Sequence, residues 1–193
     1  MNKVTLLCGS RKPAPGVDRT SSSRELLRAV VAGLADKGAE FVQLDLRDLD
    51  IPQFDGRDPD AYQCADLDLV RKTLAETDVL VVSVPAYWNC ASGPLVNLFN
   101  VIGGANYDYV QTRPGPLDGL MVLLVTVGAD DSSAYLGAAQ MRGMLASMGA
   151  WVAPREVALG NPRHAGGLTE VVRALRGLGQ YAATAPLPAG QPR

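Results

Sequence analysis

Apolar runs of strand length alternate along the chain with segments of helical spacing, and few architectures accept that order. The runs are "KVTLLC" (3 to 8), "EFVQLDL" (40 to 46), "VLVVSV" (79 to 84), "LMVLLVTV" (120 to 127) and "WVAPREVAL" (151 to 159). Three of them are almost unbroken apolar stretches, as expected of strands buried on both faces. Between them, Leu26, Leu27, Val30, Val31 and Leu34 make one helical stripe, and Ala138, Met141, Leu145 and Met148 make a second. Leu168, Val171, Val172, Leu175 and Leu178 make a third. Shorter helices are expected over Asp66 to Glu76 and from near Ser92 to about Ile102. Strands and helices in this order predict an α/β chain in which a parallel sheet is covered on both faces by helices.

The 193 residues suit a single domain, here residues 1–183, and a chain of that size buries roughly 70% of its unfolded surface. The Pro-rich tail, residues 184–193, lacks periodicity and is left outside the fold. A formal charge of −2 offers no basic field for a nucleic-acid backbone. No apolar run reaches the roughly 20 residues that a membrane helix needs, and the start "MNKVTLLCGSRKP" lacks a secretion signal's pattern. The cytoplasm is therefore the expected location. Three cysteines without C-x-x-C suggest neither a disulfide framework nor a thiolate metal site.

Ligands of open parallel sheets lie beyond the carboxyl ends of the strands, which directs attention to three loops. The first, "GSRKPAPGVDRTSSS" (9 to 23), leads into a helix, and Ser22 with Glu25 fits a capping box. Free N–H groups at that helix start attract an anion. Ser10, Thr20, Ser21 and Ser23 can add hydroxyl donors, and Arg11 or Arg19 a charged partner. Neither G-x-x-x-x-G-K-[ST] nor G-x-G-x-x-G is present, so the loop is neither a P-loop nor the dinucleotide fingerprint. In the second loop, "PAYWNCAS" (85 to 92), Pro85 is expected to stop its strand. Tyr87 and Trp88 then offer flat surfaces, and Asn89 hydrogen bonds, to a planar heteroaromatic ring. The third loop, "GADDSS" (128 to 133), puts Thr126 and Gly128 at the same edge, with Asp130 and Asp131 solvated or capping the next helix. An anion cradle beside a ring platform suits a ligand of mononucleotide type. Cys8, Cys64 and Cys90 read as packing residues and His164 as a loop residue. With one histidine in the chain, a serine or cysteine triad lacks another candidate base.

The segments "LLCGSRKPAPGVDRTSSSREL", "DVLVVSVPAYWNCASGPLVNLF" and "VTVGADDSSAYLGAAQMRGMLASMGAWVAP" resemble, in that order, the NADPH-dependent FMN reductases of flavodoxin-like fold. The likeness is strongest to the reductase components of two-component flavin systems, and it spans about residues 3 to 160. It implies a five-stranded parallel sheet of order 2-1-3-4-5 in a three-layer sandwich. By position, Ser10, Arg11, Ser21, Ser22 and Ser23 match the phosphate loop. Pro85, Ala86, Tyr87, Trp88 and Asn89 match the loop beside the isoalloxazine ring, and Thr126, Val127 and Gly128 the third flavin loop. The family often carries Glu where Ala86 stands, Lys at Val96 and Asp at Asn100. The implied activity is hydride transfer from NADPH or NADH to flavin N5, with reduced flavin or electrons passed to a monooxygenase partner or small acceptor. Such transfer relies on ring positioning more than on a side-chain acid or base. Two alternatives stand beside it: a quinone or azo-type reductase that holds FMN tightly, and a flavodoxin-like electron carrier without turnover. The resemblance also implies a homodimer or homotetramer, with Phe99, Tyr107 and Tyr109 as candidate interface residues.

Overall fold

In the computed structural model, residues 3–12, 21–34, 39–105, 115–154 and 157–160 are described. The predicted helical stripe at 168–178, His164, Arg19, Thr20, Tyr107, Tyr109 and the tail lie outside them. The elements follow the order β1 (Lys3–Cys8), α1 (Ser22–Leu34), β2 (Glu40–Asp45), α2 (Ala65–Ala75), β3 (Val79–Tyr87), β4 (Cys90–Ala91), α3 (Gly93–Gly103), β5 (Met121–Gly128), α4 (Asp131–Ser147), β6 (Trp151–Val152) and β7 (Val157–Gly160).

The sheet runs β2-β1-β3-β5, with β6 and β7 both paired to β5 and the two-residue β4 paired to β3. All pairings are parallel except that of β4. The predicted order is thus observed, with one difference: the fifth position is filled by two short strands. Pro154 lies between them, and proline has no N–H to give to a ladder.

Period two explains how continuous apolar runs serve this sheet. Leu7, Leu80, Val82, Val84, Val122 and Leu124 face one core, against Leu67 and Val70 of α2, Leu95, Leu98 and Phe99 of α3, and Met141 and Leu145 of α4. Their sequence neighbours Leu6, Val81, Leu123 and Val125 face the other core, against Leu26, Leu27 and Val30 of α1. Phe99 is fully buried beneath α3, so the expectation that it serves an interface is corrected: its ring is core and out of reach of another copy.

The long connection after β2 is fastened to α3. The N–H of Phe54 donates to Asn97 Oδ1 at 2.8 Å, and Asn97 Nδ2 donates to the Pro52 carbonyl at 2.9 Å. Within the connection, hydrogen bonds from Arg57 and then Tyr62 hold the Asp55 carboxyl well below the usual carboxylate range. Among the described residues, no helix is long and apolar enough to cross a membrane.

Candidate functional site

Cys8 is level with Ser83, and Ser83 with Val125, across three neighbouring parallel strands. The segments that follow these strands therefore leave the sheet at one edge. Gly9 joins two of them: its N–H donates to the Ser83 carbonyl at 2.9 Å, and its carbonyl accepts from Ser92 Oγ at 2.8 Å. A Cβ on Gly9 would stand 2.8 Å from the Ser83 oxygen and 2.9 Å from Leu95 Cδ2, so glycine is required by this close approach. Ser92 precedes α3 but makes no side-chain cap, because its hydroxyl serves the first loop instead.

The anion half sits where β1 ends and α1 begins. Ser10, Ser21 and Ser23 are buried. Helix α1 starts at Ser22, one residue earlier than the Ser22–Glu25 capping box requires. The Ser21 carbonyl accepts from the N–H groups of Arg24 and Glu25 at 2.9 and 3.0 Å. Ser21 thus occupies the cap position and Ser22 the first helical one. The N–H groups of Ser22 and Ser23 precede the helical ladder and are oriented for an outside acceptor. Ser10 Oγ accepts from the N–H of Lys12 at 3.2 Å. Arg11 and Lys12 are exposed.

The ring half is a tight hairpin, and here the expectation for Pro85 is corrected. β3 does not stop at Pro85 but continues through it to Tyr87. β1 has already ended opposite Ser83, so a missing donor at 85 removes no rung on that side. Tyr87 pairs with Cys90 and Ala86 with Ala91, leaving Trp88 and Asn89 as a two-residue turn with φ of 52° and 64°. Two positive φ values identify a type I′ turn, which normally takes Asn-Gly or Gly-Gly. Asn tolerates this region; an aromatic residue is strained there. The strained side chain is also 96% exposed, with Tyr87 beside it at 37%. On the inner side, the N–H of Ala91 donates to Gln140 Oε1 of α4 at 2.8 Å, fixing the hairpin to that helix.

Because Trp88 buries almost nothing, its replacement by glycine separates strain from packing. Relief of the left-handed backbone is worth about 1–2 kcal/mol, offset by about 0.4–1 kcal/mol of added unfolded-state entropy. W88G is therefore expected to melt at the wild-type temperature or slightly above it. A clear fall in the melting temperature would show that the indole is packed against something in solution.

The two halves touch through Lys12, whose Nζ lies 4.6 Å from the centroid of the Tyr87 ring. The third segment arrives beside them. Asp130 caps α4, Oδ1 accepting from the N–H of Ser133 at 2.7 Å, and Asp131 Oδ1 accepts from the N–H of Gly160 at 2.9 Å. Asp130 thus caps the helix, as the sequence suggests, whereas the tie from Asp131 to Gly160 is one the sequence does not announce. Thr126 is fully buried, its Oγ1 unpartnered, and its methyl lies against Gly137 of α4. The hydroxyl thus lies on the α4 face of the sheet, which leaves backbone groups at 126–128 as what this segment presents to the edge. The space beside Gly128 is filled by the first turn of α4.

Arg24 and Asp45 form a buried pair under the first loop that sequence reasoning missed. Arg24 Nε and Nη2 donate to the Asp45 carboxylate at 2.5 and 2.7 Å, Nη2 also donates to the Ser10 carbonyl at 2.8 Å, and Nη1 donates to the Lys12 carbonyl. Both side chains are buried, and the hydrogen bonds to Asp45 raise the affinity of the guanidinium for its proton. Nothing local marks the pair, because its partners are 21 residues apart. Cys8 is also buried, and desolvation pushes its thiol above the ordinary range, which makes it a packing residue.

These residues fit flavin mononucleotide. Ser21 and Ser23 are buried at a helix start that favours an oxyanion. The exposed Tyr87 and Trp88 stand on the same edge of the sheet for the ring.

Comparison with known proteins agrees in fold. A model of the NADPH-dependent FMN reductase family matches residues 2–164. No curated protein matches the chain. Among solved structures, an NADH:FMN oxidoreductase in its apo form is 15% identical, with a TM-score of 0.69 over 100% of this chain and 97% of that one. The flavoenzyme NAD(P)H:(acceptor) oxidoreductase of Paracoccus denitrificans is 15% identical, with a TM-score of 0.67 over 94% of this chain and 99% of its own. An NAD(P)H:quinone oxidoreductase of Methanothermobacter marburgensis is 17% identical, with a TM-score of 0.65 over 92% and 98%. At these identities the likeness concerns the fold.

Proposed function

The chain belongs to the NADPH-dependent FMN reductase family and is an oxidoreductase, and from that premise we propose how its sheet edge carries the activity. FMN seats its phosphate at Ser10, Arg11 and Ser21 to Ser23, and its ring along Pro85, Ala86, Tyr87, Trp88 and Asn89, with Thr126, Val127 and Gly128 on the third side. When bound, FMN supplies the two-electron acceptor for a hydride from NADPH or NADH. The chain holds and orients: α1 offers N–H donors to the anion, the hairpin sets the plane of the ring, and Gln140 keeps the hairpin fixed to α4. The observation that carries this reading is the meeting of both halves at Lys12 and Tyr87, 4.6 Å apart. No acid or base is needed at the transfer step, since positioning of two stacked rings accounts for it.

The reduced flavin, or its electrons, pass to a monooxygenase partner or a small acceptor, in the cytoplasm and from a dimer or tetramer. The test is a titration of the purified chain with FMN, followed by oxidation of NADH and of NADPH with and without added FMN. Binding together with flavin-dependent oxidation supports the proposal, and absence of both removes it. One observation favours a second reading, in which FMN stays bound and a quinone or azo compound is reduced: Trp88 projects at 96% exposure beside the ring platform, where a flat acceptor can stack. One FMN retained per chain after dialysis, with ping-pong kinetics toward a quinone, would select that reading.

A further inference from the structure

Arginines near an anion cradle are commonly assigned to the anion itself, and the geometry here points elsewhere. We infer that Arg24 is a positioning residue of the cradle: it holds carbonyl oxygens out of the anion site and never touches the phosphate. The inference rests on the FMN reading above and concerns a pair of residues that the reading does not use. Every nitrogen of the guanidinium already has an acceptor: the two Asp45 oxygens, the Ser10 carbonyl and the Lys12 carbonyl. Its positive charge is neutralised by Asp45 in a buried, bidentate pair, so little of it is left for a second anion.

What the arrangement supplies is direction. In a trans peptide, C=O and N–H point in opposite senses. With the Ser10 carbonyl turned onto Arg24, the N–H of Arg11 faces away from the guanidinium. The Lys12 carbonyl is drawn to the same group, and the N–H of Lys12 is held by Ser10 Oγ at 3.2 Å. With both oxygens gathered on one cation, the loop turns the Arg11 N–H to its other side, as an oxyanion requires; the Lys12 carbonyl brings no second amide, because Pro13 follows it. Because Arg24 stands in the first turn of α1, it also fixes the loop to the helix start that carries Ser21 to Ser23.

The two roles predict opposite signs at Asp45. If Arg24 acted through its charge, removing the neighbouring carboxylate would strengthen the field and tighten FMN. If Arg24 acts through geometry, Asp45→Asn weakens FMN, because the guanidinium loses its bidentate anchor. The experiment measures dissociation constants of FMN and of riboflavin, which lacks the phosphate, for flavin-free wild type, R24Q, D45N and the double variant R24Q/D45N. The double variant leaves no lone buried charge and an unchanged net charge, so it reports on geometry even if R24Q alone fails to fold. The expected result is a loss of FMN affinity of about tenfold or more in each variant, the scale of one or two charge-assisted hydrogen bonds. Riboflavin is expected to stay within about twofold, since its contacts lie on the hairpin. Tighter FMN binding by D45N, equal losses for both flavins, or unchanged FMN binding in the double variant would each overturn the inference. If the wild type binds neither flavin, the FMN reading itself fails and takes the inference with it.

Discussion

Truncation of Phe99 to alanine is expected to cost about 3–5 kcal/mol, a large part of the 5–15 kcal/mol that a domain of ordinary stability has. Phe99 is fully buried, in the core shared by the sheet, α2, α3 and α4. Removing the ring loses the transfer energy of its carbons and leaves a cavity that α3 cannot close, because Leu95 and Leu98 hold the same helix to the same core. The measurement is denaturant unfolding of flavin-free protein. The flavin-free condition matters, since a ligand at a hundred times its dissociation constant adds about 2.7 kcal/mol and would hide most of the loss. A midpoint close to wild type would mean that Phe99 does not sit where the fold places it.

Gly128→Ala is the second large effect, and it concerns the site edge. A Cβ there would be 2.5 Å from the Ala134 nitrogen, 2.9 Å from the Asp130 oxygen and 3.0 Å from Ala134 Cα. All three are main-chain atoms of the α4 start, and no rotamer change moves them aside. Overpacking of this kind costs about 1–3 kcal/mol and occasionally more; with backbone as the obstacle, the upper end is expected. The forced shift acts on the Asp130 cap and on Gln140, which holds the hairpin, so FMN affinity is expected to fall along with the melting temperature. Gly143→Ala in the same helix provides the contrast. Nothing lies within 4 Å of its Cβ position, and replacing an exposed helical glycine by alanine is worth about 0.8–1 kcal/mol in the stabilising direction. Equal responses at 128 and 143 would contradict the packing described.

The central strands were legible because burial on both faces requires unbroken apolar runs, and β1, β3 and β5 have them. The fifth run looked continuous, since Val152 and Ala153 stand before Pro154 and Val157 and Ala158 beyond it, and the periodic signal bridges a break that the backbone cannot. β3 looked shorter than it is for the converse reason: proline reads as a stop, but here the strand outruns β1 and its missing donor costs nothing. The hairpin turn was hidden because Trp-Asn is not the dipeptide that such turns prefer. Of the site, the serines, Tyr87 and Trp88 were visible as residue types placed after strands. Arg24 was not, because an arginine in an amphipathic helix reads as a solvated face, and its acceptors come from β2 and the first loop. Ser92 and Gln140 act through partners 83 and 49 residues away, which no local pattern encodes.

The double anchorage of Gly9 has a mechanical consequence. Its N–H is anchored to β3 and its oxygen to the residue ahead of α3, so the first loop and the hairpin loop are riveted at one point rather than hung on separate hinges. A guest that orders one of these loops is therefore expected to order the other in advance. Free phosphate and a ring without its tail, offered as two fragments, would each have to pay alone for an ordering that the intact molecule meets once.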